Sequence, residues 1–370
     1  MTRSSSVSAA LIVRDEAAFI GDCLRSLVGN VDEIVVVDTG SQDDTVKIAQ
    51  QFPIVLRHFP WRGDFSSARN HAIEAAKSDW ILYIDADERL MVPDRAAFAR
   101  LLADPGKAGW QLRFHPRLGW TPYAELRLFR NDPRIRFEGV IHERVQPGIE
   151  AVMRADGLVV GDCEAGLQHV GYEGDQRPKN SRNIPLLRDY LARNPDRVYC
   201  WWHLGECLQL AGDEDAAAAA WSEGIARLEA QDPARRHLGD CALYLSLIKL
   251  RHDRGEPIEQ LSAQGIAAFP DHLAMQWINA QLAVQHGALD AGRPVLEKLT
   301  AVDADSFFDP RVSYDKALFR HLAAEPLALC YFRGGRFADA ARMYRRAAST
   351  APDPGPLELK AKLADLRAAG

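Results

Sequence analysis

The chain has 370 residues, 47% hydrophobic and 26% charged, with a net charge of −6. This is ordinary globular composition, and the length suggests two domains. The acidic balance argues against a general nucleic-acid binder, which carries a basic excess. A single nucleotide site stays open.

Six scattered cysteines (Cys23, Cys163, Cys200, Cys207, Cys241 and Cys330) include no Cys-x-x-Cys pair. They read as reduced thiols, not as a zinc site or a disulfide framework. The serine-rich N-terminus leads into a strand-like run at Val7 without a secretory pattern. No stretch approaches the roughly 18–20 apolar residues of a membrane helix. A cytoplasmic location is expected, with any membrane-linked acceptor reached from the water side.

In chain order, Ser8–Val13 is an apolar run of strand length, and Glu16–Val28 has helical spacing. Glu33–Val37 is a second strand ending at Asp38. A turn follows, and Asp43 or Asp44 caps a helix to Gln51. Ile54–Arg57 is a third strand. Ser66 or Ser67 caps a helix through Lys77. Trp80–Ile84 is a fourth strand ending in Asp85-Ala86-Asp87. Such alternation predicts a mostly parallel, Rossmann-like sheet covered on both faces. Ligands bind beyond the carboxyl ends of strands in such sheets, which groups Asp38 with Asp85 and Asp87.

From Trp110 the pattern changes. Gln111–His115, Glu125–Arg130 and Arg136–Val145 read as an antiparallel extension of the sheet. The turn-rich stretch 171–179 marks a boundary, giving an α/β domain over 1–178 and an all-α domain over 179–370. Trp201-x-x-Leu204-Gly205-x-x-Leu208, Gly212 and Ala217-x-x-x-Trp221 follow the tetratricopeptide pattern. Leu327-Ala328-x-x-Tyr331, Gly335 and Ala340-x-x-x-Tyr344 repeat it. Two degraded units turn near Gly255 and Gly287. Stacked repeats of this kind present a concave face.

Asp85-Ala86-Asp87-Glu88 crowds carboxylates at an open strand end, where burial without a partner is costly. A hard divalent cation resolves the repulsion and takes one or two carboxylates plus substrate phosphates. The plain alternative is an exposed acidic turn that caps a helix.

Three further motifs accompany it: Ile12-Val13-Arg14-Asp15-Glu16, Val35-Val36-Val37-Asp38-Thr39-Gly40-Ser41 and Asp64-Phe65-Ser66-Ser67-Ala68-Arg69-Asn70. In this order the four resemble the family 2 glycosyltransferases of the GT-A fold, over roughly residues 7–172. The resemblance implies an inverting, Mn²⁺- or Mg²⁺-dependent transfer from a nucleotide-sugar donor, with UDP-sugar the first expectation. It makes Asp38 the acceptor of a hydrogen bond from uracil, Asp85 the acid near the ribose and Asp87 the metal ligand. Arg69 would lie over the nucleotide, and Glu16 would open the first helix beside it. The alternatives are an Asx-turn for Asp38, a solvated helix-surface arginine for Arg69 and a helix-dipole partner for Glu16.

Phe137-Glu138-Gly139-Val140-Ile141-His142-Glu143 resembles a Val/Ile-His-Glu segment of part of the family. It makes Glu143 the expected catalytic base, with Asp64 and Glu138 in reserve; a carboxylate paired with Arg144 or Arg136 is the alternative. The Glu-Asp pair that serves as base in many members is missing here. Gln168-His169-Val170-Gly171-Tyr172 resembles the family's late histidine, so His169 is a candidate for the metal or the diphosphate, or a structural histidine.

The repeats make a peptide or protein acceptor attractive, and this architecture resembles the enzymes that glycosylate bacteriocin peptides. A surface polysaccharide or lipooligosaccharide acceptor stays open, as does homo-oligomerisation through the repeats. A nucleotidyltransferase is disfavoured, because the loop after the first strand has no glycine cluster. A non-catalytic scaffold is the alternative from another class.

Overall fold

The computed structural model describes residues 5–171 and 177–369, apart from the side chains of 177–182. The chain divides into two compact units, one of Met1–Leu118 and Pro122–Arg193, the other of Gly119–Thr121 and Asn194–Gly370. Residues 172–176 of the turn-rich stretch expected to mark the boundary lie outside the described residues.

The first unit is built on one sheet. Its elements begin with β1 (Val7–Val13), α1 (Ile20–Leu27), β2 (Glu33–Asp38), α2 (Thr45–Ala49), β3 (Val55–His58), α3 (Phe65–Ala75) and β4 (Trp80–Tyr83). There follow β5 (Glu88–Met91), α4 (Arg95–Leu102), β6 (Lys107–His115), β7 (Tyr123–Arg130), α5 (Gln146–Asp156), β8 (Val159–His169) and α6 (Arg177–Arg193). The strand order is β3-β2-β1-β4-β7-β6-β8-β5. The first four strands run parallel, as the alternating pattern predicts, and β7 is antiparallel to β4 and β6. Strand β8 pairs parallel with β6 and antiparallel with β5, so the extension is mixed rather than antiparallel throughout.

Both faces of the parallel half are buried. Leu11, Val36 and Leu82 fill one core; Ala10, Val35, Val37 and Ile81 fill the other. That is why β1 and β2 read as continuous apolar runs.

Two local expectations are corrected. Helix α3 is capped by Asp64, whose carboxylate accepts from Ser67 N at 3.1 Å and Ser67 Oγ at 2.7 Å. Ser66 instead donates from its hydroxyl to Gly139 O. Residues 136–145 form no strand. Reciprocal backbone bonds join Glu138 and Arg144 and close a loop, in which Gly139 (φ 102°) and His142 (φ 50°) take left-handed conformations. A strand cannot hold such angles. The simple alternation of Ile141, His142 and Glu143 between two faces therefore does not apply.

The second unit is helical: α7 (Val198–Leu210), α8 (Glu214–Ala230), α9 (Ala242–Asp253), α10 (Glu259–Ala268) and α11 (Leu273–Gln285), then α12 (Leu289–Ala301), α13 (His321–Arg333), α14 (Phe337–Ala348) and α15 (Gly355–Ala369). Neighbouring helices pack as pairs, as the tetratricopeptide pattern requires. Trp221 is fully buried on Gly205, where a Cβ would stand 2.1 Å from its Nε1. Only glycine admits the indole there. Gly212 (φ 87°) and Gly335 (φ 75°) make the turns of the first and last motif copies, in a conformation that penalises a side chain. All six cysteines are buried and outside disulfides. No described helix is long and apolar enough to cross a membrane.

Candidate active site

Strands β1, β2 and β4 run parallel and deliver Arg14, Thr39 and Asp85 to one edge of the sheet. A cavity of about 260 Å³ opens there, lined by Arg14, Glu16, Thr39, Trp61, Phe65, Arg69, Asp85, Asp87 and His169 among others. Five of the candidate residues (Glu16, Arg69, Asp85, Asp87 and His169) thus line one cavity.

The loops after β1 and β2 are locked together. Asp15, at φ 56°, donates from N to Ser41 Oγ at 3.1 Å and accepts Gln42 N at 2.7 Å. Aspartate tolerates this conformation better than most residues. Glu16 N donates to Thr45 Oγ1 at 2.7 Å, and Ala17 N to Asp43 Oδ2 at 3.0 Å. Asp38 lies at the end of β2 and is 6% exposed. Its carboxylate accepts Gly40 N at 3.2 Å and Ser41 N at 3.1 Å, and so forms the Asx-turn weighed as its alternative. It stands next to Thr39 and is not itself among the lining residues.

Arg69 is the hub. Its side chain is 12% exposed, so it is not a solvated surface arginine. Nη2 donates to Asp85 Oδ1 at 2.9 Å, Nε donates to Glu143 Oε1, and the guanidinium faces Tyr83 and Phe137 at 5.3 and 5.5 Å. Nη1 is buried and has no hydrogen-bond partner among the described residues. Burial would raise the Asp85 carboxyl, but Arg69 and Arg127 hold it below the ordinary range. Glu143 reaches the site through Arg69, not through Arg144 or Arg136.

The sequence Asp64-Phe65-Ser66-Ser67-Ala68-Arg69-Asn70 brings this about. Phe65 N donates to Val140 O at 3.0 Å. The Asn70 amide bonds both backbone groups of Phe137, at 3.0 and 2.8 Å. Helix α3 thereby grips the loop that carries Glu143.

Opposite lie Asp87 and His169. Strand β8 brings His169 beside β5, in register with Glu88. Its Nδ1 donates to Pro116 O at 3.2 Å, and Nε2 stands 3.3 Å from Asp87 Oδ2, where it donates when protonated. Burial lowers the imidazole pKa, but the bond to Asp87 and the charges of Asp87, Glu88 and Asp85 outweigh it and raise it. Among the described residues no group of three His, Cys, Asp or Glu side chains forms a ready-made metal cluster. A cation held jointly with a diphosphate needs only one or two protein ligands. One carboxylate oxygen and one imidazole nitrogen suit that use.

Several contributors carried no separate signal in the sequence. Trp61 and Phe65 stack edge-to-face at 4.7 Å on the cavity wall. Gly171 packs against Asp87. Glu88 was visible as part of the acidic run, but burial pushes its carboxyl up to about 7 against the pull of Arg127, and its partner lies 39 residues away.

The model of glycosyl transferase family 2 matches residues 8–157. A TPR repeat-containing protein of Synechococcus elongatus is 36% identical over 252 residues, covering 66% of this chain and 62% of that protein. The SPbeta prophage-derived glycosyltransferase SunS of Bacillus subtilis is 28% identical over 262 residues, 67% of this chain and 60% of SunS. The lipopolysaccharide core biosynthesis glycosyltransferase LpsC of Rhizobium meliloti is 35% identical over 156 residues, 38% of this chain and 57% of LpsC. The chain spans about three fifths of the length of these relatives.

Proposed function

We propose that the protein is a metal-dependent glycosyltransferase that moves a sugar from a nucleoside diphosphate donor, with UDP-sugar the first choice, to an acceptor nucleophile. The observation that carries this reading is the convergence of Asp85, Asp87, Arg69 and His169 on one cavity at the sheet edge. The family 2 domain supports it.

In this reading the base and ribose of the donor lie along the locked loops after β1 and β2, near Asp38, Glu16 and Asp85. Trp61 and Phe65 supply an apolar wall. Asp87 and His169 would hold Mn²⁺ or Mg²⁺, which offsets the charge of a diphosphate leaving group. The unpaired Nη1 of Arg69 is a donor suited to a phosphate oxygen. Glu143 would accept the proton of the acceptor as the new bond to the sugar forms and the bond to the diphosphate breaks. Oε1 of Glu143 is engaged by Arg69, so the proton goes to Oε2.

A peptide or protein acceptor is the first reading. The helical unit supports it with a groove of about 410 Å³ that includes Trp277, Gln281, Gln285, Phe332 and Tyr344. Amide and aromatic side chains of this kind suit an extended chain. The likeness to LpsC favours a surface glycan as the second reading.

The test is a donor screen on the full chain with Mn²⁺, following release of nucleoside diphosphate, with Asp87→Ala as control. Release from one or two donors, lost in the control, is expected. Silence across the panel together with absent UDP–Mn²⁺ binding would move the protein to the scaffold class.

A further inference from the structure

The turn that carries Asp85 and Asp87 rests on a buried ion pair that is absent from the cavity wall. Glu88 is 1% exposed and Arg127 6%. Both oxygens of Glu88 take Arg127 nitrogens, Oε2 from Nη1 at 3.1 Å and Oε1 from Nη2 at 2.9 Å. The same Oε2 accepts the backbone N–H of Asp85 at 2.9 Å. We propose that Glu88 and Arg127 are positioning residues that set the Asp85–Asp87 turn and the neighbouring His169 for the metal and the diphosphate. This rests on the reading of Asp87 as a metal ligand.

Three observations point to positioning rather than to stability. First, a buried ion pair adds little net stability compared with packed apolar groups. Its place at this turn therefore calls for another reason. Second, every polar group of Asp85 is held. Glu88 takes the amide, Cys23 Sγ and Glu88 N donate to the carbonyl at 3.4 and 3.0 Å, and Arg69 takes the carboxylate. Third, Glu88 is the register partner of His169, and Val170 N donates to Asp87 O at 2.8 Å. Adjacent backbone pairings, of Glu88 with His169 and of Val170 with Asp87, thus tie both candidate ligands to the sheet. Tyr83 joins the two cations, with Arg127 at 4.4 Å and Arg69 at 5.3 Å from its ring.

The experiment titrates Mn²⁺ into the full chain with UDP, by calorimetry, for wild type, Glu88→Gln and Arg127→Lys. Lysine keeps the charge of arginine but loses the two-pronged geometry. A positioning role raises the Mn²⁺ concentration for half-maximal UDP binding about tenfold or more in both variants, at a temperature where each keeps native near-UV circular dichroism. A purely structural pair lowers the melting temperature and leaves that midpoint within about twofold of wild type, which would overturn the proposal. If neither variant folds, Glu88→Leu/Arg127→Met replaces the pair by apolar groups of similar volume. A raised midpoint in the folded double variant supports the pair, and a wild-type midpoint overturns it. If wild type itself shows no Mn²⁺-dependent UDP binding, the metal reading has failed, and amide exchange in the ligand-free protein decides the rest. Faster exchange at Asp85 in Glu88→Gln supports the clamp; unchanged exchange removes it.

Discussion

Gly171 lies directly against the carboxylate of Asp87: a Cβ at Gly171 would stand 2.1 Å from Oδ2. Gly171→Ala must therefore displace Asp87 or the segment after β8. The expected result is a loss of Mn²⁺-dependent UDP affinity of about tenfold or more, with the far-UV circular dichroism of wild type. An unchanged Mn²⁺ dependence would mean that the segment after β8 yields and Asp87 keeps its place, and Asp87→Ala then decides whether Asp87 holds the metal.

His169 makes the site pH-sensitive, and the sign is fixed by its partners. Its pKa is raised above the ordinary 6.5. Its contribution to stability is fully present below 6.5 and fades as pH rises through the raised folded value. The metal-free protein should lose this contribution as the pH rises above 6.5 and through the raised folded value, and His169→Asn should flatten that part of the melting profile. Mn²⁺ affinity should run the other way and tighten with rising pH, because the proton on Nε2 must leave before a metal binds. Calorimetry in buffers of different ionisation enthalpy reads that released proton directly.

Glu143→Gln removes the charge but keeps an oxygen for Arg69 Nε. UDP binding should stay within about threefold of wild type, while sugar transfer falls about a hundredfold or more. If donor binding and transfer fall together, Glu143 serves Arg69 alone and the base is another group.

Asn70→Ala removes both hydrogen bonds to Phe137 at once. The loss of two largely buried bonds should destabilise the first unit by about 1–3 kcal/mol. Transfer should fall more than donor binding, because Glu143 depends on this loop while the loops after β1 and β2 do not. Melting curves and a comparison of kcat with donor KM separate the two effects.

The parallel half of the sheet was legible because both of its faces are buried, which turns β1, β2 and β4 into plain apolar runs. The strand-end acids followed from that reading. Residues 136–145 were misread for a local reason. Alternating apolar and polar residues imitate a strand, and nothing in the side chains announces the left-handed His142. Arg69 was found, but its partner Glu143 lies 74 residues on, and only the grip of Ser66 and Asn70 on the loop explains the pairing. The bond of Glu88 to Arg127 likewise depends on the pairing of β7 with β4, which sets Arg127 beside the end of β4, shortly before Glu88. Strands β5 and β8 went unseen because each is short or interrupted by polar residues, and register is a tertiary property.

Strand β8 places Cys163, Ala165 and Leu167 in the core, and His169 continues that series at intervals of two. Side chains alternate along a strand, so the step that buries Leu167 also sends the imidazole toward the cavity. A one-residue slip in the register of β8 would expose Leu167 as it turned His169 away. The packing that fills the interior thereby also fixes where the imidazole points.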